Sequence, residues 1–374
     1  MPRFAKMLSE GMANRGHQVK IISPKPFFFN LPVSGTWRKW LSYIDQYIIF
    51  PYNIIKKLRA INGESLFVFS DQALGPWVPL VANHPHVIHC HDFLAQRSAL
   101  NEIPENPSSW TGKQYQAYIR RGYQKGVNFI SVSEKTKIDL HRFLKTPPIR
   151  SAVVYNGLNQ SFKPGDCTVI RKLLGEQLEL GLNSGYLLHV GGNLWYKNRL
   201  GVLEIYNALR LNYGTGLPLL MIGSEPTSEL VEAANSAQFK SDIHWLTNKD
   251  DKIVKMAYAG ATAFLFPSLA EGFGWPIAEA MASGCPVITT NEAPMTEVAG
   301  NAGFLIARRP IENGQAKVWA IESAGVVNSI LQLSEAERKQ VINDGITNAY
   351  RFNTEQSLNS FEAIYSDILQ SHRK

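Results

Sequence analysis

The chain has 374 residues, of which 45% are hydrophobic and 18% charged, as expected for a globular protein of about two domains. Its three cysteines, Cys90, Cys167 and Cys285, form neither a disulfide framework nor a metal-ligand pattern, so a reducing cytoplasm is the simplest expected compartment. No apolar run of about 18 residues predicts a membrane span, and the first residues lack the pattern of a signal peptide.

The net charge of +7 is unevenly distributed. Residues 1–150 hold 20 basic and 9 acidic side chains, a net charge of +11, whereas the remainder holds 18 and 22, a net charge of −4. A basic first half favours an anionic partner such as membrane lipid, a phosphate-bearing acceptor or nucleic acid; a generic solubilising surface is the alternative. The candidate membrane surface combines basic and aromatic side chains, namely Lys56, Lys57, Arg59, Trp37, Trp40 and Tyr43.

The first half of the chain alternates amphipathic helices with short apolar strands. Residues Pro2–Arg15 predict a helix, with Phe4 and Leu8 on its apolar face and Gly16 as its stop. A second helix, Glu134–Leu144, is expected after the N-cap Ser133. The expected strands are Gln18–Ser23, Ser65–Ser70, Val87–Cys90 and Phe129–Val132.

A second α/β series follows Pro164-Gly165. It predicts a helix over about Asn198–Leu211 and six strands, namely Tyr186–Val190, Leu217–Ile222, Ile243–Leu246, Ala263–Phe266, Val287–Thr290 and Phe304–Ile306. The fold class is therefore α/β, with two Rossmann-like doubly wound domains facing a cleft. We expect one domain over 1–162, with a C-terminal helix 355–374 packing back on it, and a second domain over 163–354.

The most informative stretch is PSLAEGFGWPIAEAMASGCPVITT, which begins at Pro267. A strand ends there, and a loop leads to a helix with Pro276 in its first turn and Gly284 as its stop. The loop holds Glu271, Gly272, Phe273 and Gly274. Small loop residues and free helical N–H groups suit an anion, and carboxylates accept hydrogen bonds from sugar hydroxyls. We expect Glu271 in the loop and Glu279 on the helix to face the same crevice; the alternative is an ordinary helix start with one solvated glutamate.

Two further turns follow strand ends. VGGNLWYKNR contains a candidate phosphate cradle, formed by Gly191, Gly192 and Asn193, with Lys197 as the cation. In VIHCHDF, His91 follows a strand end; a structural histidine is the alternative to a functional one.

These stretches together resemble the retaining GT-B glycosyltransferases that include bacterial mannosyl- and glucosyltransferases. EGFG-x-P-x-x-EAMA-x-G-x-PV is similar to the E-x7-E region of that family, and Glu271 and Glu279 fill its two glutamate positions. The segments beginning at Ser70, Phe129 and Tyr155 resemble further family landmarks, so the resemblance runs from Arg3 to about Tyr365. One departure is that Gly192 stands where many members carry a phosphate-binding arginine.

The resemblance implies a retaining transfer of sugar from a nucleotide-sugar donor to a hydroxyl of a glycan or lipid-linked acceptor, in surface polysaccharide or lipopolysaccharide biosynthesis. It makes 1–162 the acceptor-side domain and 163–354 the nucleotide-sugar-binding domain. It assigns His91 and Glu271 to catalysis at the donor sugar, Glu279 to the ribose, and Gly191 to Asn193, Lys197 and Gly272 to Gly274 to donor binding. No metal, no cofactor and no nucleic-acid partner are expected, and the location is cytoplasmic or peripheral on the inner membrane face. The alternatives are a sugar-nucleotide epimerase, a non-catalytic sugar-nucleotide-binding protein and an inactive truncated remnant.

The beginning of the chain also departs from the family pattern. Members usually open with a strand and a Gly-Gly loop, whereas this sequence opens directly in the helix that contains Phe4. We therefore expect the first strand of the N-terminal domain to be missing. Because unpaired buried backbone groups each cost about 1–3 kcal/mol, the sequence as it stands is expected to be poorly soluble or inactive, and roughly 15–20 upstream residues are expected to restore it.

Overall fold

The computed structural model describes residues 2–33, 35–58, 65–158 and 161–373. It divides into two compact units, the first formed by residues 1–155 with 355–374 and the second by residues 156–354. Each unit is an α/β structure built on its own parallel sheet. Arg59, Asn159 and Gln160, which belong to predicted features of the sequence, lie outside the described residues.

Unit 1 carries a four-stranded parallel sheet in the order β1-β2-β3-β4. Its elements before the first unit boundary are α1 Pro2–Asn14, α2 Thr36–Ile44, α3 Phe50–Leu58, β1 Phe67–Phe69, β2 His86–Cys90, α4 Leu94–Ala99, α5 Trp110–Tyr123, β3 Asn128–Ser131, α6 Glu134–Phe143 and β4 Arg150–Val153. As predicted, the Ser133 hydroxyl caps α6 by accepting a hydrogen bond from the Thr136 N–H. A 3₁₀ helix, Gln72–Val81, follows β1.

Unit 2 carries a six-stranded parallel sheet in the order β10-β9-β8-β5-β6-β7. Its elements are α7 Cys167–Leu178, β5 Leu187–Val190, α8 Arg199–Tyr213, β6 Leu219–Gly223, α9 Ser228–Asn235, β7 Ile243–Thr247, α10 Asp251–Gly260, β8 Ala263–Phe266, α11 Trp275–Ala282, β9 Val287–Thr290, α12 Met295–Ala299, β10 Phe304–Ile306, α13 Asn313–Leu331 and α14 Glu335–Ala349. The order reverses between β5 and β8, so the chain winds both ways from β5, as in a Rossmann-like sheet.

The last helix, α15 Thr354–His372, returns the chain to unit 1. Its apolar residues pack with the predicted face of α1 and with one face of the sheet. This cluster contains Phe4, Leu8, Met12, Val87, Ile130, Val154, Leu358, Phe361, Tyr365 and Ile368. The apolar stripe of α1 is therefore buried, because residues of α15 and of the sheet pack with it.

The predicted strand Gln18–Ser23 is wrong. Residues 17–26 have no regular structure, and Val19 and Ile21 are 44% and 74% exposed. A strand needs a neighbour to take up its backbone hydrogen bonds, and none of the described strands pairs with residues 18–23. A β-type sequence without a pairing partner thus forms no strand.

The strands of unit 2 are apolar on both faces because both faces of the sheet are covered. Helices cover both sides of a doubly wound parallel sheet, so β8 and β9 are buried along their whole length. Among the described residues, no helix is both long enough and apolar enough to cross a membrane.

Candidate functional site

The first part of the candidate site is the turn after β5. The Gly191 N–H donates to the Ile222 carbonyl at 2.9 Å, which continues the pairing with β6 beyond the strand end. Gly223 has a φ of +152°, and a Cβ there would overlap the Gly191 carbonyl oxygen. The ends of β5 and β6 therefore approach each other so closely that the turn beginning at Gly191 depends on glycine at position 223.

The turn is tied to the loop after β8 through Asn198. This residue has a φ of +51°, and its Oδ1 caps α8 by accepting from the Gly201 N–H at 3.2 Å. Its Nδ2 donates to the Pro267 carbonyl at 2.9 Å. Nearby, the Leu269 N–H donates to the Tyr196 carbonyl at 2.7 Å. These bonds fix the position of the single 3₁₀ turn that carries Lys197.

Lys197 and Glu271 form the central contact. Lys197 Nζ lies 2.7 Å from Glu271 Oε1, and the two side chains are only 14% and 9% exposed. The Ser268 hydroxyl donates to the same carboxylate oxygen at 2.8 Å. The ammonium also lies 5.0 Å from the centre of the Phe266 ring and 5.3 Å from that of Tyr196, where aromatic faces attract a cation. A largely buried ion pair, whose carboxylate also accepts a hydrogen bond from Ser268, thus joins the loop after β5 to the loop after β8.

The loop that follows Glu271 leads into α11. Gly274 is the N-cap, with a φ of +104°, and it offers no side chain to cap the helix. Pro276 lies in the first helical turn, as predicted. Phe273 is buried and packs edge-to-face on Phe352 at 5.3 Å. The helix therefore begins beside Glu271 in a backbone shape that only glycine adopts easily, and Phe273 anchors the loop.

Glu279 lies on α11 and has a different environment. It is 6% exposed, and the Tyr258 hydroxyl donates to its Oε2 at 3.3 Å. Tyr258 belongs to α10 and packs at 5.3 Å on Phe264 of β8. The structure thus gives the two predicted glutamates separate partners: Glu271 contacts Lys197, and Glu279 contacts Tyr258.

Arg199, which the sequence pattern did not single out, is hydrogen-bonded to Asn193 of the turn after β5. Asn193 Nδ2 donates to the Glu225 carbonyl at 2.6 Å, and its Oδ1 accepts from Arg199 Nη1. The same Arg199 nitrogen donates to the Ser224 carbonyl at 2.9 Å. The signal was present in VGGNLWYKNR as a second cation two residues after Lys197.

His91 belongs to unit 1 and follows β2. It is 9% exposed; its N–H donates to Gln72 Oε1 at 2.9 Å, and its Nε2 lies 2.9 Å from the Ser70 carbonyl. The ring packs edge-on against Phe4 at 4.6 Å. Burial lowers the pKa of His91 to about 4, so the ring is neutral near pH 7. A neutral ring that donates from Nε2 keeps Nδ1 as an acceptor.

Among the described residues, no three histidine, cysteine, aspartate or glutamate side chains are grouped as metal ligands are. The polar groups described above in unit 2 are two cations, Lys197 and Arg199, two carboxylates, Glu271 and Glu279, and the backbone of glycine-containing turns. Such a set suits a phosphorylated, hydroxyl-rich ligand.

Comparison with protein families agrees with this geometry. The model of Glycosyltransferase Family 4 matches residues 1–162, and that of the Glycosyl transferases group 1 matches residues 172–340. The chain belongs to the GT-B glycosyltransferases. Both the Lys197 turn and the Glu271–Glu279 region lie within the group 1 match.

Curated relatives of this GT-B chain are named as mannosyltransferases of the O-antigen chain and as a glucosyltransferase of lipopolysaccharide. O-antigen chain mannosyltransferase B of Escherichia coli is 34% identical over 126 residues, 32% of either chain. O-antigen chain mannosyltransferase RfbU of Salmonella typhimurium is 24% identical over 58% of this chain and 57% of its own. Lipopolysaccharide glucosyltransferase WaaG of Escherichia coli is 23% identical over 48% of either chain. The matches thus span from about a third to somewhat over half of these relatives' length.

Solved structures share the GT-B fold. Sucrose-phosphate synthase from Thermosynechococcus elongatus superposes with a TM-score of 0.71 at 18% identity, covering 98% of this chain and 93% of its own. WaaG gives a TM-score of 0.67 at 17% identity, covering 96% and 94%. HepE from Anabaena, solved with UDP and glucose, gives 0.66 at 17% identity, covering 85% and 82%. At these identities the likeness establishes the fold alone.

Proposed function

We propose that this GT-B chain is a retaining glycosyltransferase that moves a sugar from a nucleotide-sugar donor to a hydroxyl of a glycan or lipid-linked acceptor. The observation that carries the proposal is the buried Lys197–Glu271 pair at the start of α11. The names of the relatives, O-antigen mannosyltransferases and a lipopolysaccharide glucosyltransferase, support a role in surface polysaccharide biosynthesis. No nucleic acid is among the proposed partners.

Donor binding follows from the chemistry of that pair. A diphosphate brings negative charge that competes with Glu271 for the Lys197 ammonium, while the N-terminus of α11 favours an anion. Once its cation binds phosphate, the Glu271 carboxylate can accept a hydrogen bond from a sugar hydroxyl. Gly191, Gly192 and Asn193 contribute backbone to the diphosphate site, and Gly272, Phe273 and Gly274 contribute it to the sugar site. Glu279 is assigned to the ribose hydroxyls.

The proposed reaction needs no protein nucleophile. The acceptor oxygen attacks the anomeric carbon on the face from which the diphosphate departs, and a departing phosphate oxygen takes the hydroxyl proton. The anomeric carbon–phosphate oxygen bond breaks as the new glycosidic bond forms. Lys197 and the helix dipole stabilise the negative charge on the leaving group, so the protein acts by positioning and electrostatics. No metal or other cofactor enters this proposal.

His91 is proposed as a neutral sugar-binding group. Its Nε2–H is engaged by the Ser70 carbonyl, so the Nδ1 lone pair is the atom that can accept a hydroxyl hydrogen. The low pKa of His91, caused by burial, keeps that lone pair available at neutral pH.

A donor screen tests the function. The protein is incubated with UDP-glucose, UDP-galactose or GDP-mannose, each labelled in the sugar, and with octyl α-mannoside as acceptor. We expect one donor to give a labelled octyl disaccharide whose NMR coupling shows the donor's anomeric configuration. Lys197→Met should abolish transfer, while Lys252→Met, which changes a lysine on α10, should not. An inverted product would refute retention, an epimerised donor would indicate an epimerase, and binding without turnover would indicate a non-catalytic protein.

We further propose that unit 1 contacts an anionic membrane surface at the inner face of the plasma membrane, in the cytoplasm. α2, α3 and the turns beside them expose apolar rings next to basic groups: Trp37 and Trp40 are 73% and 58% exposed, and Tyr52 is 59% exposed. Lys56 Nζ lies 4.3 Å from the centre of the Tyr52 ring. Each basic residue at such a surface contributes about 1 kcal/mol, and aromatic rings favour the interface.

Liposome flotation tests the membrane proposal. We expect binding to vesicles of phosphatidylcholine and phosphatidylglycerol (about a third anionic lipid) and release by salt. Trp37→Ala/Trp40→Ala should reduce flotation strongly, while Tyr350→Ala, which removes an aromatic residue of unit 2 that is 71% exposed, should not. Equal, salt-insensitive flotation on phosphatidylcholine alone would contradict the electrostatic mechanism.

A further inference from the structure

Arg199, the first residue of α8, is a buried cation of unit 2 with incomplete hydrogen bonding. It is only 4% exposed, yet its Nε and Nη2 have no hydrogen-bond partner among the described residues. Its guanidinium lies 4.9 Å from the centre of the Trp245 ring. No carboxylate of the described residues forms an ion pair with it, whereas Lys197 is paired with Glu271. A buried cation without a counter-charge is costly, so such a residue points to an anion that the site receives.

The position of this guanidinium connects it to the glycine turn. Its Nη1 donates to both Asn193 Oδ1 and the Ser224 carbonyl, so it bridges the loops after β5 and β6. Its charge also reaches the turn, because Arg199 and Lys197 both lower the pKa of the buried His189 imidazole, beyond the larger effect of burial. A Cβ built on Gly191 would lie 2.8 Å from Nε2 of that ring. The charged groups of Lys197 and Arg199 therefore both lie near the turn that begins at Gly191.

Gly192 brings no side chain to the turn, and a Cβ at Gly192 would lie 3.2 Å from the Ser224 hydroxyl. The space next to position 192 is thus taken by the loop that Arg199 holds. Arg199, at the start of α8, reaches the same turn through its hydrogen bond to Asn193.

We propose that Arg199 is the positioning residue of the donor diphosphate site: it braces the Gly191–Asn193 turn and supplies, through that turn, the positive charge that Gly192 lacks. The ligand class is a nucleoside diphosphate, and the inference rests on the proposed donor site. The buried charge acts on the phosphates and not on the nucleoside. Its loss should therefore weaken binding in proportion to phosphate charge.

Two variants distinguish the electrostatic role of Arg199 from its structural role in holding the turn. Arg199→Lys keeps the charge and loses the planar fork, whereas Arg199→Gln keeps hydrogen-bonding capacity and loses the charge. Calorimetry measures the affinity for UDP and GDP, and for uridine and guanosine. We expect Arg199→Gln to lose about ten- to a hundredfold in affinity for the preferred diphosphate, the range of one charge-assisted interaction. Arg199→Lys should stay within about fivefold of wild type, and nucleoside affinity should change less than about twofold in both variants.

Other outcomes overturn the proposal in distinguishable ways. Equal losses in both variants that extend to the free nucleoside would show a brace without an electrostatic role. Unchanged diphosphate affinity in Arg199→Gln would remove any role for Arg199 while leaving the donor site intact. A wild-type protein that binds neither UDP nor GDP would refute the donor site itself, and the role of Arg199 with it. Where Arg199→Gln does not fold, Arg199→Met, of similar length, takes its place, since an apolar side chain can replace a buried ion without loss of stability.

Discussion

The Lys197–Glu271 pair lends itself to a double-mutant cycle. Lys197→Met leaves the carboxylate largely buried and without its cation, and Glu271→Gln leaves the ammonium in the same state. Breaking a fully buried pair costs about 3–5 kcal/mol. Because these side chains are 14% and 9% exposed, a somewhat smaller loss of about 2–3 kcal/mol in unfolding free energy is expected for each single variant. For a unit of this size, that loss lowers Tm by about 4–12 °C.

The double variant Lys197→Met/Glu271→Gln carries no unpaired charge. We expect it to be about as stable as either single variant, which corresponds to a coupling free energy of about 2–3 kcal/mol, because the amide oxygen introduced by Glu271→Gln can still accept the Ser268 hydroxyl bond. It should nevertheless bind UDP or GDP no better than Lys197→Met. Thermal melts and calorimetry on all four proteins measure both quantities. Additive stability losses would show that the pair contributes nothing, and restored nucleotide affinity in the double variant would refute the assignment of Lys197 to phosphate.

Three further predictions concern other parts of the candidate sites. Glu279→Gln should weaken nucleotide binding about tenfold, which is the effect of losing one hydrogen bond to a charged group. Tyr258→Phe keeps the carboxylate and should weaken binding less. Calorimetry that finds unchanged nucleotide affinity in Glu279→Gln would exclude the ribose role. Gly223→Ala should displace the turn at Gly191 and abolish nucleotide binding, and normal binding would show that the backbone there can relax. His91 has a folded pKa of about 4 and an unfolded value near 6.5, so the unfolded chain takes up the proton first and stability falls with decreasing pH in that window. From pH 7 to pH 5 the loss from His91 is about 2 kcal/mol, and His91→Gln should remove it from denaturation curves; an unchanged pH dependence would contradict the burial of a neutral ring.

Much of the fold is predictable from local pattern because unit 2 has strongly apolar strands. β8, β9 and β10 have the predicted bounds, and the Pro276 helix start is as expected. Where the local signal is weak, prediction failed: β4 is half-buried throughout and was not predicted. The opposite error occurred at Gln18–Ser23, where a strand-like pattern lacks a pairing partner.

The candidate site was predictable as a set of residues but not as a set of contacts. The family motifs name Lys197 and Glu271, which are 74 positions apart, yet their pairing depends on the left-handed turn at Asn198 and on the bonds that tie it to the β8 loop. Arg199 was overlooked because nothing in a one-dimensional pattern separates a buried guanidinium from a solvated one. Only its contacts with the Trp245 ring and the Ser224 carbonyl show that its charge is buried next to the Gly191–Asn193 turn.

The division of the chain also constrains the order in which it can fold during synthesis. Unit 2 is one continuous stretch, inserted between the two parts of unit 1. The core of unit 1 needs Leu358, Phe361 and Ile368 from α15, which leave the ribosome after all of unit 2. Domains usually fold in the order in which they emerge, but here the second unit can fold first while unit 1 still lacks α15. In a nascent chain the apolar face of α1 therefore has only the sheet as a packing partner until α15 has been synthesised.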